Sequence, residues 1–255
     1  MMNKNPLSIF CLTILLSASV QAAETEAEHD YVYIFGYGSL MLTLSRTATA
    51  PDPTDVVYLP TKIKGMGRRW NLWSKKNSSR VLGLEKSDNK NAFVNGLLFP
   101  VKREKLSDYD RREGITAYQR TKVSIDDIQF YRESHRSQIM ANGKQPEIFT
   151  YVAIPHSPFY VTKDKTDKPI ATYYLDIVRA GCIEVDRTHQ LNGHFINDCV
   201  QTMVLKDYVI HDDSASRNYP TALLEQARTK VVELEQFLKN DWPKYQDAIH
   251  ENWKK

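Results

Sequence analysis

Tyr31-Val32-Tyr33-Ile34-Phe35-Gly36-Tyr37-Gly38-Ser39-Leu40-Met41 is the stretch on which the fold turns. Its first five residues are an unbroken β-branched and aromatic run that stops at a glycine, the pattern of a buried strand entering a turn. Glycines at alternate positions then permit backbone conformations that other residues avoid, so successive N–H groups can converge on an anion or a developing oxyanion. The stretch is not a dinucleotide fingerprint, because Met41 stands at the third glycine position. Nor is it a nucleophile elbow, because Ser39 lacks the flanking glycines of the G-x-S-x-G frame. A plain tight turn is the simpler reading of an isolated Gly-x-Gly.

Outward from this stretch, strands come first and helices later. Strands are expected at Tyr58–Lys64, Arg68–Trp73, Val81–Glu85, Phe93–Phe99, Tyr118–Val123 and Glu147–Ala153, most of them bounded by Gly, Pro, Asn or Asp. Helical periodicity runs over Lys102–Glu113, Ile170–Val185, Leu191–Val204 and Pro220–Lys239, the last with Leu223, Ala227, Val231, Leu234 and Leu238 on one face. That order argues for an α+β domain rather than a repeating β-α-β sheet. The polar stretch Thr162–Lys168 is the expected mobile surface loop. The chain has 255 residues, 42% of them hydrophobic, enough to bury a real core in a single domain. Its 34 Lys+Arg and 31 Asp+Glu are interleaved, so no basic stripe suited to a phosphate backbone stands out and nucleic acid is not an expected partner.

The N-terminal residues read as a secretory signal over 1–23. Lys4 precedes the apolar run Leu7–Leu16, and Val20-Gln21-Ala22 places small residues at the −3 and −1 positions of a cleavage site. The apolar run is too short for a bilayer span, so the expected mature chain, 24–255, is exported to a periplasm or the medium without a membrane anchor. Removal of Cys11 leaves Cys182 and Cys199, which in an oxidising compartment more often pair than stay free. A zinc site from Cys182, His189, His194 and Cys199 is the alternative, but their spacing matches no closed-site pattern.

Glu113 is the second chemically purposeful position. On the helix from Lys102 the core stripe passes through Leu106 and Tyr109, and its next position is a carboxylate. Gly114 reads as the helix stop, so Glu113 lies in the last turn, at the negative end of the macrodipole. Partial burial and the dipole would both raise its pKa, which suits a proton shuttle working near neutrality; a solvated glutamate at a frayed helix end is the plainer alternative.

Taken together, these segments resemble the γ-glutamylcyclotransferase-like family. Ile34–Met41 is similar to its Tyr-Gly-Ser signature, in the form with leucine after serine that is closer to the bacterial branch. Asp110-Arg111-Arg112-Glu113-Gly114, followed by Tyr118-Gln119-Arg120 and Val123, is similar to its catalytic-glutamate segment. Gly67–Asn71, Val94–Phe99 and Tyr173–Asp176 leading to Ala180-Gly181-Cys182 agree in order, and the resemblance extends from about Tyr33 to about Val204.

The resemblance implies a compact mixed β-barrel with flanking helices, and conversion of a γ-glutamyl compound to 5-oxoproline with release of an amine or amino acid. It implies Glu113 as general base and acid, Tyr37, Gly38, Ser39 and Leu40 as the substrate-holding loop, and Tyr174 as a further substrate contact. Ring closure by the substrate's own α-amine asks for a base and oxyanion donors, so neither metal nor cofactor is expected. The expected partner is a small γ-glutamyl molecule, with glutathione one candidate. A non-catalytic γ-glutamyl-binding protein on the same fold is the alternative.

Overall fold

The computed structural model describes residues 31–53, 57–140, 145–206, 208–211, 222–223, 225–230 and 232. The chain divides into the units Met1–Tyr31 and Val32–Lys255; only Tyr31 of the first is described. The signal expected over 1–23 therefore lies outside the described residues, as do Val231, Leu234 and Leu238 of the helix expected over Pro220–Lys239. Residues 222–223, 225–230 and 232 are helical, with Leu223 and Ala227 buried.

Tyr31–Gly36 (β1) is followed by a 3-10 turn at Ser39–Met41 and a short helix, Thr43–Thr47 (α1). Four strands come next: Leu59–Lys64 (β2), Met66–Ser74 (β3), Ser79–Lys86 (β4) and Phe93–Lys102 (β5). Leu106–Glu113 (α2), Tyr118–Val123 (β6), Ile128–Phe130 (β7), Glu133–Ile139 (α3) and Ile148–Ala153 (β8) complete the first half. Ile170–Ala171 (β9), Thr172–Thr188 (α4), His194–Thr202 (α5) and Ile210–His211 (β10) follow.

The main sheet has eight strands in the order β3-β4-β8-β1-β5-β2-β7, with β6 paired to β8 off that path. It is mixed. β1 and β4 run parallel to β8, and the β2–β5, β3–β4, β2–β7 and β6–β8 pairs are antiparallel. The expected α+β class holds, but the expected closed barrel does not: β3 and β7, at the two ends of the order, are not paired. The sheet also branches, at β8. β6 takes one of its edges along the whole strand, from Tyr118↔Ala153 to Val123↔Ile148. The other edge is shared, with β1 at Ile148 and Phe149 and β4 at Val152, so the sheet forks at β8.

Packing explains the rest. β5 is buried on both faces from Val94 to Val101, and Gly96 lets it pass the first strand: a Cβ there would stand 2.4 Å from the Gly36 carbonyl oxygen. α4 is buried on nearly every face, as a helix inside a core must be, and packs on the 3-10 turn. A Cβ on Gly181 would lie 2.9 Å from Met41 Cβ and 3.0 Å from Leu42 N. A disulfide joins Cys182 of α4 to Cys199 of α5, Cα–Cα 6.5 Å, so neither sulfur is a free thiolate for the alternative zinc site.

Two expectations need correction. The helix expected from Lys102 begins at Leu106, because β5 runs on through Lys102 and Arg103–Lys105 form a 3-10 turn. The stretch Thr162–Lys168 lies on the surface but is tied down by one side chain. Buried Arg80 donates to the carbonyls of Thr162 at 2.9 Å, Lys165 at 2.6 Å and Lys168 at 2.5 Å.

Candidate active site

The fork in the sheet opens a pocket. Where β1 ends and β4 diverges, a small pocket open to solvent is lined by Phe35, Tyr37, Gly38, Ser39, Leu40, Leu82, Glu113, Tyr118, Tyr151 and Tyr174. The residues named from the sequence as catalytic or substrate-holding lie on this lining: Glu113, Tyr37, Gly38, Ser39, Leu40 and Tyr174; Cys182, His189, His194 and Cys199 do not.

The Gly38–Leu40 wall is shaped by short-range geometry. Met41 N–H donates to Gly38 O at 3.0 Å and Leu42 N–H to Ser39 O at 3.3 Å, closing the 3-10 turn. Such a turn leaves its first N–H groups, here those of Ser39 and Leu40, without a partner inside the turn. Gly36 is needed for close approach, since a Cβ would lie 2.7 Å from Leu40 Cβ. At Gly38 a Cβ would meet Tyr174 Oη at 3.4 Å, an ordinary contact that places Tyr174 directly against this wall.

Glu113 closes the opposite wall and is the one carboxylate of the lining. It is the last residue of α2. Gly114 ends the helix at φ 80°, a left-handed conformation that favours glycine, and its N–H returns to Asp110 O at 2.9 Å. Leu106 and Tyr109 are buried on the same face, and the Glu113 side chain is only 16% exposed. Burial pushes its carboxyl pKa above the ordinary 4.5, while the adjacent Arg112 guanidinium, Nε to Oε1 3.2 Å, pulls it back part of the way.

The four tyrosines commit their hydroxyls to the scaffold. Tyr37 donates to Tyr151 O at 2.8 Å, Tyr118 to Leu82 O at 2.6 Å, and Tyr151 to Asp110 Oδ1 at 2.9 Å. Tyr174 Oη accepts from Leu82 N at 3.4 Å. Burial raises the Tyr37 and Tyr151 pKa values well above 10, with the Glu113 charge adding to both. Tyr37 and Tyr151 therefore stay protonated at neutrality, and the four rings line the pocket beside one partly shielded carboxylate.

Sequence reasoning missed Phe35, Leu82, Tyr118 and Tyr151. Phe35 and Tyr118 stand within segments singled out above, but strand alternation does not reveal which strand ends meet. Tyr151 and Leu82 enter only because β4 and β8 pair at Leu84↔Val152.

No family model and no curated protein matches the chain in sequence. Solved structures do match. One described as "Gamma-glutamyl cyclotransferase" aligns at TM-score 0.50 and 13% identity, over 78% of this chain and 99% of its own. An uncharacterized protein from Homo sapiens aligns at TM-score 0.49 and 13% identity over the same shares. A yeast γ-glutamyl cyclotransferase specific to glutathione aligns at TM-score 0.40 and 14% identity, over 79% of this chain and 97% of its own. At these identities the likeness speaks to the backbone alone, and on the first of the three alignments the chain carries a γ-glutamyl cyclotransferase-like fold.

Proposed function

We propose that the protein is a γ-glutamylcyclotransferase-type enzyme, converting a γ-glutamyl amine or peptide to 5-oxoproline and the released amine. The observation that carries this reading is the placement of a single, partly shielded carboxylate, Glu113, in one pocket with the Tyr37–Leu40 turn. The substrate's α-amine is its own nucleophile once neutral. Glu113 takes a proton from the α-ammonium, and the nitrogen attacks the γ-carbonyl to close a five-membered ring. The Ser39 and Leu40 N–H groups face the oxygen on which charge develops. As the C–N bond to the leaving group breaks, Glu113 returns the proton to the departing nitrogen, and the ring nitrogen gives up its second proton to solvent to leave the lactam N–H. Because nucleophile and electrophile share one molecule, holding the bent conformer supplies much of the rate advantage.

Incubation of the purified protein with a panel of γ-glutamyl dipeptides and glutathione, assayed for 5-oxoproline, tests the reading. At least one compound is expected to yield product at a rate that chelators leave unchanged. Binding without product from any compound would replace the enzyme with a non-catalytic γ-glutamyl-binding protein. We also propose export. The Cys182–Cys199 bond fits an oxidising compartment. N-terminal sequencing of protein from its native host is expected to begin near Ala23, and a chain still carrying Met1 would overturn export.

A further inference from the structure

The proposed reaction needs a base and an oxyanion-binding turn at a fixed separation, yet these come from segments more than seventy residues apart in the chain. One side chain spans them. Arg112 Nε contacts Glu113 Oε1 at 3.2 Å. Its Nη2 donates to Ser39 Oγ at 3.1 Å and Ser45 Oγ at 2.9 Å. Its Nη1 donates to Thr49 Oγ1 at 2.5 Å and to the Ser45 carbonyl. All three guanidinium nitrogens are thus engaged, one on the carboxylate and two on the 39–49 segment.

The arrangement is not what helix geometry gives by default. Successive residues on a helix do not face each other, so an Arg at i rarely contacts a Glu at i+1. Here Glu113 is the terminal residue of α2, and the hydroxyls of Ser39, Ser45 and Thr49 draw the Arg112 fork across it. The neighbouring Arg111 shows the ordinary outcome: it is 77% exposed and pairs with Asp108 one turn back at 3.2 Å. A guanidinium suits the bridging role because its planar, rigid donors reach several acceptors at once, which an ammonium cannot do.

We propose that Arg112 is the positioning residue of the site, locking the Glu113 carboxylate to the Ser39–Thr49 segment so that base and turn are presented as one unit. This inference rests on the cyclotransferase reading for its role in turnover, though not for the lock itself. Among the described residues, Arg112 is the cation paired with Glu113. Tyr37, Tyr118, Tyr151 and Tyr174 line the pocket, Asp110 stands behind Tyr151, and Arg120 is occupied by Asp110 at 2.6 Å.

The test separates the charge of Arg112 from its fork. Carboxyl ¹³C titration by NMR, with the Glu113 signal assigned by its loss in E113Q, is run on wild type, R112Q, R112K and the control R111Q. R112Q is expected to raise the Glu113 midpoint by about one pH unit or more, while R112K and R111Q leave it close to wild type. In the 5-oxoproline assay the acid limb of kcat/KM should move to higher pH in R112Q by the same amount, since the base works only when deprotonated. R112K should keep that limb in place but raise KM by roughly tenfold, because an ammonium cannot hold Ser39, Ser45 and Thr49 together. An unchanged Glu113 midpoint in folded R112Q would overturn the proposal. Should R112Q fail to fold, R112K decides: wild-type kcat and KM in that variant would overturn it equally. A wild type that forms no 5-oxoproline removes the cyclotransferase reading, while the titration still decides whether Arg112 sets the state of Glu113.

Discussion

At the scale of single residues, the site reduces to one titrating group in an aromatic enclosure. Glu113→Gln keeps shape and most hydrogen bonding but removes the basic oxygen, so turnover should fall by roughly 100-fold or more with substrate binding largely retained. Ser39→Ala should cost less, because the proposed mechanism assigns the developing charge to the backbone amides of the turn and not to the hydroxyl. Near-wild-type 5-oxoproline formation by Glu113→Gln would discard the mechanism, and an inactive Ser39→Ala beside an active Glu113→Gln would indicate a serine-based hydrolase. The pH profile follows from the same carboxyl. Burial lifts its pKa above 4.5, so the acid limb of kcat/KM should lie above the usual carboxylate range. That Glu113 stood out in the sequence is owed to its breaking a pattern, a charge where Leu106 and Tyr109 promise another apolar residue. Tyr151 breaks nothing. An aromatic in a strand is ordinary, and only the tertiary pairing of β8 carries it to the pocket.

Elements differ in how far their residues announce them. β1, β5 and α4 are long and apolar, and their reading needs only periodicity. α3 is the opposite case. Glu133–Ile139 buries only His135 and Ile139, too few apolar positions to raise a helical pattern, and the stretch 128–144 offers no other signal. What holds α3 is tertiary. The rings of His135 and of His189, at the C-terminal end of α4, meet edge-on at 6.2 Å, and Arg132 donates to the His189 carbonyl at 2.5 Å. Burial, with His135 and Arg132 adding to it, lowers the His189 pKa from 6.5 to about 4. The folded chain therefore binds this proton less readily than the unfolded chain does. Stability contributed by the neutral ring is present above pH 6.5 and is lost as the pH falls toward 4. His189→Asn should accordingly lose less stability than wild type between about pH 7 and about pH 4.5, read as the change in urea midpoint. Equal losses in both would show that the α3–α4 histidine contact does not titrate with folding.

At the scale of the whole molecule, the strands up to β8 form the main sheet, the longer helices α4 and α5 follow it in the chain, and the pocket sits where the sheet forks. The α+β order of segments was readable from pattern alone. The fork was not, because it depends on β1 and β4 sharing one edge of β8, a long-range pairing that leaves no mark in local composition. The Cys182–Cys199 bond acts across this architecture, joining α4, which carries Tyr174 to the pocket, to α5. Asn95 of β5 donates to Cys199 Sγ at 3.2 Å and to the Phe195 carbonyl at 2.9 Å, so sheet and both helices meet at the bridge. A cross-link of this kind works mainly by restricting the unfolded chain, and closing a loop of 17 residues is worth about 3 kcal/mol in that account. The double variant Cys182→Ala/Cys199→Ala should therefore lose about that much stability in urea while kcat and KM at 25 °C stay near wild type, because the folded pocket is unchanged. Thiol labelling of the native, non-reduced protein should find neither cysteine reactive. Two labelled thiols would remove the bond from the molecule. A double variant of undiminished stability but collapsed turnover would move the bridge from the fold to the site, making the placement of Tyr174 by α4 its main role.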